Sequence, residues 1–107
     1  FIEREVIVAA VTKGDVLFTV SSPAMKLANF ITETVERAKA YVKEFSNLQI
    51  SIYVWANKGK KIVIDGKDLS TYINEIEKNI RGGENLSIKY IESYSHSDLI
   101  EEIKASI

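Results

Sequence analysis

The segment Leu48–Gly83 constrains the fold more than any other part of the chain, because its apolar residues change from a period of two to a helical period. Apolar residues alternate with other residues over Leu48–Trp55, as they do in a half-buried strand. The turn-like residues Asn57–Lys60 follow, and Lys61–Asp65 then predicts a second strand that returns beside the first as a hairpin. Beyond Gly66 the apolar residues recur at helical spacing. The sequence therefore predicts strand, turn, strand and helix in this order.

The sequence on either side of this segment adds further strands and helices. Two β-prone runs, Arg4–Val11 and Val16–Val20, are predicted to pair as an N-terminal hairpin. Ser22 and Pro23 have the composition of a helix start, and an amphipathic pattern follows them. Leu86–Tyr94 alternates as a strand, and a last helix is expected after it. Helices on one face of a mostly antiparallel sheet give an α+β open-faced sandwich.

Length and composition exclude several classes of function. The chain of 107 residues suits one domain, 1–107, and its net charge of −1 disfavours non-specific binding of nucleic acid. The absence of cysteine excludes a disulfide framework, a thiolate metal site and a cysteine nucleophile. No apolar run approaches the roughly 20 residues that a membrane span requires. We therefore expect a cytoplasmic protein without membrane contacts and without a cofactor.

From about Val16 to the C-terminus, and most closely over Ile50–Ser93, the chain resembles HPr, the histidine-containing phosphocarrier of the sugar phosphotransferase system, in the spacing of its elements. The resemblance implies an HPr-like element order, βαββαβα, with an extra N-terminal strand within residues 1–15. In that family the loop before the first helix contains a histidine and an arginine, and this chain has Val20 and Ser22 at those positions. Val20 offers no imidazole to carry phosphate, and Ser22 offers no guanidinium to hold it. The resemblance therefore implies a degenerate member without phosphocarrier activity.

The same resemblance implies candidate sites of phosphorylation. Some HPr-like proteins carry a regulatory serine at the start of the second helix, and the matching positions in this chain are Ser70 and Thr71. A phosphate at either position would lie at a helix N-terminus, where negative charge is electrostatically favoured.

Two polar features have alternative interpretations as catalytic or metal sites. His96 is the only histidine, and it could serve as a general base, but polar residues are expected at a helix start and no second histidine supports a metal site. Asp65–Asp68 could form a cation loop, but calcium loops need more oxygen ligands at fixed spacing. A tight connection between strand and helix explains these residues better. We expect no catalytic residue and no metal.

Binding is the function that the residues favour. Tyr53 and Trp55 lie on the strand face opposite the aliphatic residues, so helices on the aliphatic face would leave this aromatic pair exposed as a binding surface. The alternative is that the N-terminal hairpin, or a second copy of the chain in a homodimer, covers the pair. Lys58 and Lys60, with Lys61, form a basic turn that fits an acidic partner, although a solvated turn is the simpler explanation.

The sequence thus predicts a non-catalytic HPr-like domain that binds or regulates through contacts with another protein, whose identity it does not reveal. The alternative is an HPr-like protein regulated by phosphorylation at Ser70 or Thr71. A third hypothesis, from a different class, is an enzyme in which His96 meets acidic side chains brought close by the fold.

Overall fold

The computed structural model describes residues 6–12, 15–22, 27–45, 47–59, 61–80 and 85–106, and only the backbone of 15–22 and 106. The elements in chain order are β1 (Val6–Thr12), β2 (Asp15–Ser22), α1 (Leu27–Glu44), β3 (Ile50–Asn57), β4 (Val63–Ile64), β5 (Lys67–Asp68), α2 (Leu69–Ile80), β6 (Leu86–Ser93) and α3 (Ser97–Ser106). The three helices and β6 lie in the predicted regions. Ser22 belongs to β2, while the predicted helix start at Pro23 and the glycines Gly82 and Gly83 lie outside the described residues.

Four strands form one mixed sheet in the order β2-β1-β3-β6. β1 is antiparallel to both of its neighbours, with Ala9 opposite Thr19 of β2 and opposite Tyr53 of β3. The predicted N-terminal hairpin is confirmed, with a register shift between Ala10 and Val11. β6 is parallel to β3, and α2 lies in the long crossover connection that a parallel pair requires.

The predicted hairpin between β3 and the run Lys61–Asp65 is wrong. Both edges of β3 are occupied, one by β1 and the other by β6, so the run has no free edge of β3 to pair with. It contributes β4 instead, which pairs with β5 in a separate two-stranded ladder. Asp65 and Gly66 connect β4 to β5 with φ angles of 52° and 78°. A type I′ turn requires positive φ at both of its central residues, and Asp-Gly is a favoured sequence for it.

The main core lies between the sheet and the helices α1 and α2. The alternating residues of β1 and β3 on this face are buried together with one stripe of each helix. The strands contribute Val6, Val8, Ala10, Ile50, Ile52, Val54 and Ala56, and the helices contribute Leu27, Ile31, Val35, Ala38, Leu69, Ile73 and Ile80. Full burial of a Leu, Ile or Val side chain stabilises the fold by roughly 1.5–3 kcal/mol, so this face supplies most of the hydrophobic stabilisation.

The third helix packs on the opposite face of the sheet, so the expectation that all helices lie on one face is wrong. Leu99 of α3 is buried against Val11, Tyr53 and Trp55, and Ile103 is partly buried beside them. The residues of β1 and β3 on this face are apolar or aromatic, and a helix that removes them from water is stabilising. The protein is therefore an α+β structure whose mixed sheet has helices on both faces.

Candidate functional site

The aromatic pair that the sequence places on an exposed surface is buried. Tyr53 is 7% exposed and Trp55 is 1% exposed. The cover is α3, whose Leu99 packs in the same cluster. The prediction of an open Tyr53–Trp55 binding surface is therefore wrong, because the last helix occupies the sheet face that the prediction left uncovered.

Hydrogen bonds hold the start of α3 over Trp55. The indole Nε1–H of Trp55 donates to the Ser93 hydroxyl at 2.9 Å, and that hydroxyl donates to the Ser95 carbonyl at 2.8 Å. The Ser97 backbone N–H donates to the Ser95 hydroxyl at 3.2 Å. The His96 ring meets the Trp55 ring edge-to-face, with their centroids 4.4 Å apart. His96 thus packs against the residue that anchors α3, and the described residues hold no group of three potential metal ligands.

A cleft opens where the parallel strands β3 and β6 end, beside the start of α2. Its volume is about 350 Å³. The lining residues are Lys58, Gly59, Lys61, Ile62, Asp68, Leu69, Ser70, Tyr90 and Glu92. In sheets with parallel strands, ligands commonly bind outside the carboxyl ends of those strands. This cleft is therefore the candidate site that the fold favours.

The turn after β3 places Lys58 at the rim of the cleft. The Lys58 N–H donates to the Ser93 carbonyl at 2.9 Å, which continues the pairing with β6 by one residue. The Gly59 N–H donates to the Asn57 side-chain oxygen at 2.8 Å and so closes the turn. The Lys58 ammonium lies 5.8 Å from the centre of the Tyr94 ring, within reach of a cation–π interaction. Lys60, the other predicted binding lysine, lies outside the described residues.

An exposed tyrosine adjoins this rim. Tyr94 follows β6 directly, and its side chain is 74% exposed. The ring lies beside the turn, since it is close to the Lys58 ammonium and a Cβ at Gly59 would lie 3.9 Å from its edge. Tyr94, Lys58 and the cleft therefore form one continuous surface, which we call the carboxyl-edge surface.

Tyr90 supplies a hydroxyl within the cleft. It donates a hydrogen bond to the Glu92 carboxylate at 2.9 Å. Partial burial raises the pKa of the Tyr90 phenol above its ordinary value, and the hydrogen bond and negative charge of Glu92 raise it further, with a smaller effect from Asp68. The phenol therefore stays protonated at neutral pH and acts as a hydrogen-bond donor.

The two predicted phosphorylation sites have different surroundings. Ser70 and Thr71 both lie in the first turn of α2. Ser70 is half-buried and lines the cleft with Lys58 and Lys61, whereas Thr71 is exposed and is not part of the lining. The structure thus brings Ser70, but not Thr71, together with the predicted binding residue Lys58.

The segment Asp65–Asp68 comprises the turn between β4 and β5 and the two residues of β5. Asp65 and Gly66 form the turn, and Lys67 makes an ion pair with Glu75 of α2. The hydrogen bond and the charge of Glu75 raise the pKa of Lys67, so this ammonium is charged at neutral pH. The predicted direct connection from strand to helix is therefore only partly right, because the short strand β5 lies between the turn and α2.

Several residues of the carboxyl-edge surface cannot be identified as site residues from the sequence. Tyr90 and Glu92 look like ordinary strand residues until the parallel pairing of β3 with β6 brings them beside Lys58. Tyr94 falls inside the strand that the sequence predicts, and only the end of β6 at Ser93 separates it from that strand.

Comparisons with protein-family models, with curated proteins and with solved structures find no match to this chain. Among the described residues, no helix combines the length and the apolar character that crossing a membrane demands.

Proposed function

We propose that this chain is a non-catalytic binding domain that acts through protein–protein contacts at the carboxyl-edge surface. The observation that carries the proposal is the exposed Tyr94 ring beside Lys58, a residue that also lines the cleft. Tyrosine is enriched at protein interfaces because it buries a large area while keeping a polar group available. An exposed tyrosine next to a concave site therefore fits an anchor for a partner.

The degenerate HPr-like assignment is part of this proposal. Its support is the order of elements from β2 to α3, which is strand, long helix, strand, two short strands, second helix, strand and third helix. The parallel pairing of β3 with β6 and the position of α3 differ from the open-faced arrangement expected from the resemblance. The proposed binding activity rests on the carboxyl-edge surface and does not depend on that assignment.

Photo-crosslinking from single positions tests the proposed function. A photoreactive phenylalanine analogue replaces Tyr94 in one variant and Phe45 in the control; Phe45 is 53% exposed but lies at the end of α1. In native extract, we expect the position-94 variant to form a discrete crosslinked product that the position-45 variant does not form. The product should diminish when Lys58 is changed to Glu and persist when Lys43 of α1 is changed to Glu. Identical products from both positions would contradict the proposal.

A second candidate function is regulation by phosphorylation at Ser70. The observation that favours it is the position of the Ser70 hydroxyl in the cleft lined by Lys58 and Lys61. A phosphate there would gain from both ammonium groups and from the N-terminal turn of α2. In a phosphorylation assay with native extract, Ser70→Ala should abolish phosphate incorporation and Thr71→Ala should not. Loss of incorporation only in Thr71→Ala would assign the modification to the exposed residue instead.

A further inference from the structure

β6 forms one edge of the four-stranded sheet. On its inner side the Ile50 N–H donates to the Asn85 carbonyl, and the Lys58 N–H donates to the Ser93 carbonyl. In a parallel pair, both backbone groups of every second residue point to the same neighbour. The odd-numbered residues of β6 therefore bond to β3, and Leu86, Ile88, Tyr90 and Glu92 direct their N–H and C=O groups to the free edge. No described residue forms a backbone hydrogen bond with these outward groups.

This edge lacks the usual protection against strand addition. Native edge strands are commonly short or interrupted by a bulge, a proline or an unpaired charge. β6 has eight residues without a proline, and its register with β3 is continuous. Its lysine, Lys89, is held by Glu102 of α3 at 3.2 Å and so is drawn to the α3 face of the sheet. The edge is a regular template for another strand.

The cleft lies on one side of this same edge. Tyr90 and Glu92 belong both to the outward-bonding residues of β6 and to the lining of the cleft. A strand that paired with β6 would point every second side chain to the face of α1 and α2, and those side chains near Tyr90 and Glu92 would enter the cleft.

The charges in the cleft indicate which side chain fits. Each of the two carboxylates in the cleft already has a favourable interaction. Glu92 accepts the hydrogen bond from Tyr90. Asp68 directly precedes α2, a position where a carboxylate stabilises the helix. Lys58 and Lys61 form no ion pair with any described carboxylate. Among the described residues, therefore, no ion pair neutralises these two ammonium groups, and both line the cleft that an acidic side chain would enter.

We propose that an extended acidic segment of a partner protein adds to the free edge of β6 as a strand and places a carboxylate beside Lys58 and Lys61. Main-chain hydrogen bonds to β6 hold the segment, and the cleft selects its side chains, as in other complexes formed by strand addition. This inference rests on the proposed function and names the partner's conformation and charge.

Residue-resolved amide hydrogen exchange of the full chain tests the pairing. The probe is a capped ten-residue peptide of alternating valine and glutamate, and its control is the same peptide with lysine in place of glutamate. The glutamate peptide should slow exchange of the outward amides of Ile88, Tyr90 and Glu92 by about tenfold, and the amides of Ser87, Lys89 and Ile91, already bonded to β3, should not change. The lysine peptide should give no such alternation.

A matched pair of variants separates backbone pairing from side-chain effects. Glu92→Pro removes an outward N–H that β3 does not use, whereas Glu92→Ala removes the same side chain and keeps that N–H. We expect peptide affinity to fall about tenfold in Glu92→Pro relative to Glu92→Ala. Equal affinities of the two variants, protection without alternation, or equal effects of the two peptides would overturn the inference. If, without peptide, exchange of the outward amides of β6 slowed as the protein concentration rose, a second copy of the chain would occupy the edge. That result would also overturn the inference.

The two proposals fail in different ways. If position 94 crosslinks a partner that Glu92→Pro still binds as well as Glu92→Ala does, strand addition is wrong and the binding function stands. If position 94 gives no specific product, the proposed function fails whatever the peptide does.

Discussion

The Trp55 side chain connects the central strand β3 to the last helix, α3. It is the largest of the fully buried side chains, and it lies on the central strand β3 with its ring against α3. Its indole N–H would be costly to bury without a partner, and Ser93 supplies that partner. Because Ser93 also bonds to Ser95, the same hydroxyl fixes the chain where it leaves the sheet for the last helix.

The first prediction concerns this hydrogen bond. Trp55→Phe removes the donor and part of the buried ring, and we expect a loss of about 1–3 kcal/mol in the free energy of unfolding, measured by urea denaturation followed by circular dichroism. Trp55→Ala should cost about 3–5 kcal/mol because it leaves a cavity under α3. A Trp55→Ala variant as stable as wild type would show that α3 does not pack on this residue.

The second prediction concerns the pH dependence that Tyr90 confers. Its pKa is raised in the folded protein, so the folded state holds the phenolic proton more tightly than the unfolded state does. This contribution to stability is fully present below the ordinary tyrosine pKa of 10.0 and is lost as the pH rises above it. Between pH 9 and alkaline unfolding, wild type should therefore lose stability more steeply than Tyr90→Phe. If the stability of wild type and of Tyr90→Phe fell equally with pH, the raised pKa of Tyr90 would be wrong.

At the scale of elements, the short helix α3, with ten residues, has a large effect on burial. It alone among the described helices covers the second face of the sheet, and it contacts that face through one apolar stripe that includes Leu99 and Ile103. A helix this short is marginal in isolation and depends on such packing for its stability. Its stability and the burial of Trp55 are therefore coupled.

The third prediction uses two neighbouring residues of α3. Leu99 is 4% exposed and Ile100 is 48% exposed, so Leu99→Ala should destabilise the protein by about 2–4 kcal/mol and Ile100→Ala by less than about 1 kcal/mol. The chain has a single tryptophan, so its fluorescence reports on the cover above Trp55 directly. We expect a red shift of the emission in Leu99→Ala alone. Equal red shifts in Leu99→Ala and Ile100→Ala would mean that α3 is rotated about its axis and does not present Leu99 alone to Trp55.

The fourth prediction concerns the turn between β4 and β5. Gly66 has a φ of +78°, and a Cβ at this position would meet no atom within 4 Å. The cost of Gly66→Ala is therefore conformational, about 1 kcal/mol, and not steric. Gly66→Asn should cost less, because asparagine tolerates left-handed backbone angles better than alanine does. Thermal denaturation of both variants checks this order, and an alanine variant more stable than the asparagine variant would contradict it.

At the scale of the whole molecule, stability should follow the order of strands in the sheet. β1 and β3 each have a neighbour on both sides, whereas β2 and β6 lie at the edges. We therefore expect the slowest amide exchange in β1 and β3, and fast exchange at Ile88 and Tyr90 in the absence of a partner. Uniformly slow exchange along β6 would show that its outer edge is already paired.

The sequence predicts local structure well because the spacing of apolar residues within a strand or a helix is characteristic of that element. The alternation of Leu48–Trp55 and the helical spacing in α2 need no information from elsewhere in the chain. Strand pairing does need it: the run after β3 fails to pair with it because β1 and β6 occupy both edges. The exposure of Trp55 likewise depends on the face that α3 takes. Lys58 is recognisable as a turn residue, but only the parallel pairing brings Tyr90 beside it.

The central position of β1 has a consequence for synthesis on the ribosome. The hairpin of β1 and β2 is synthesised before α1, yet the second neighbour of β1 is β3, which emerges only after the whole of α1. Until then the inner edge of β1 is unpaired, and its valines and alanines have no core to join. The aromatic face remains open longer still, because its cover is the last helix of the described chain. Between the synthesis of β1 and that of α3, the nascent chain therefore exposes apolar surface that is buried in the folded domain, and such surface favours aggregation.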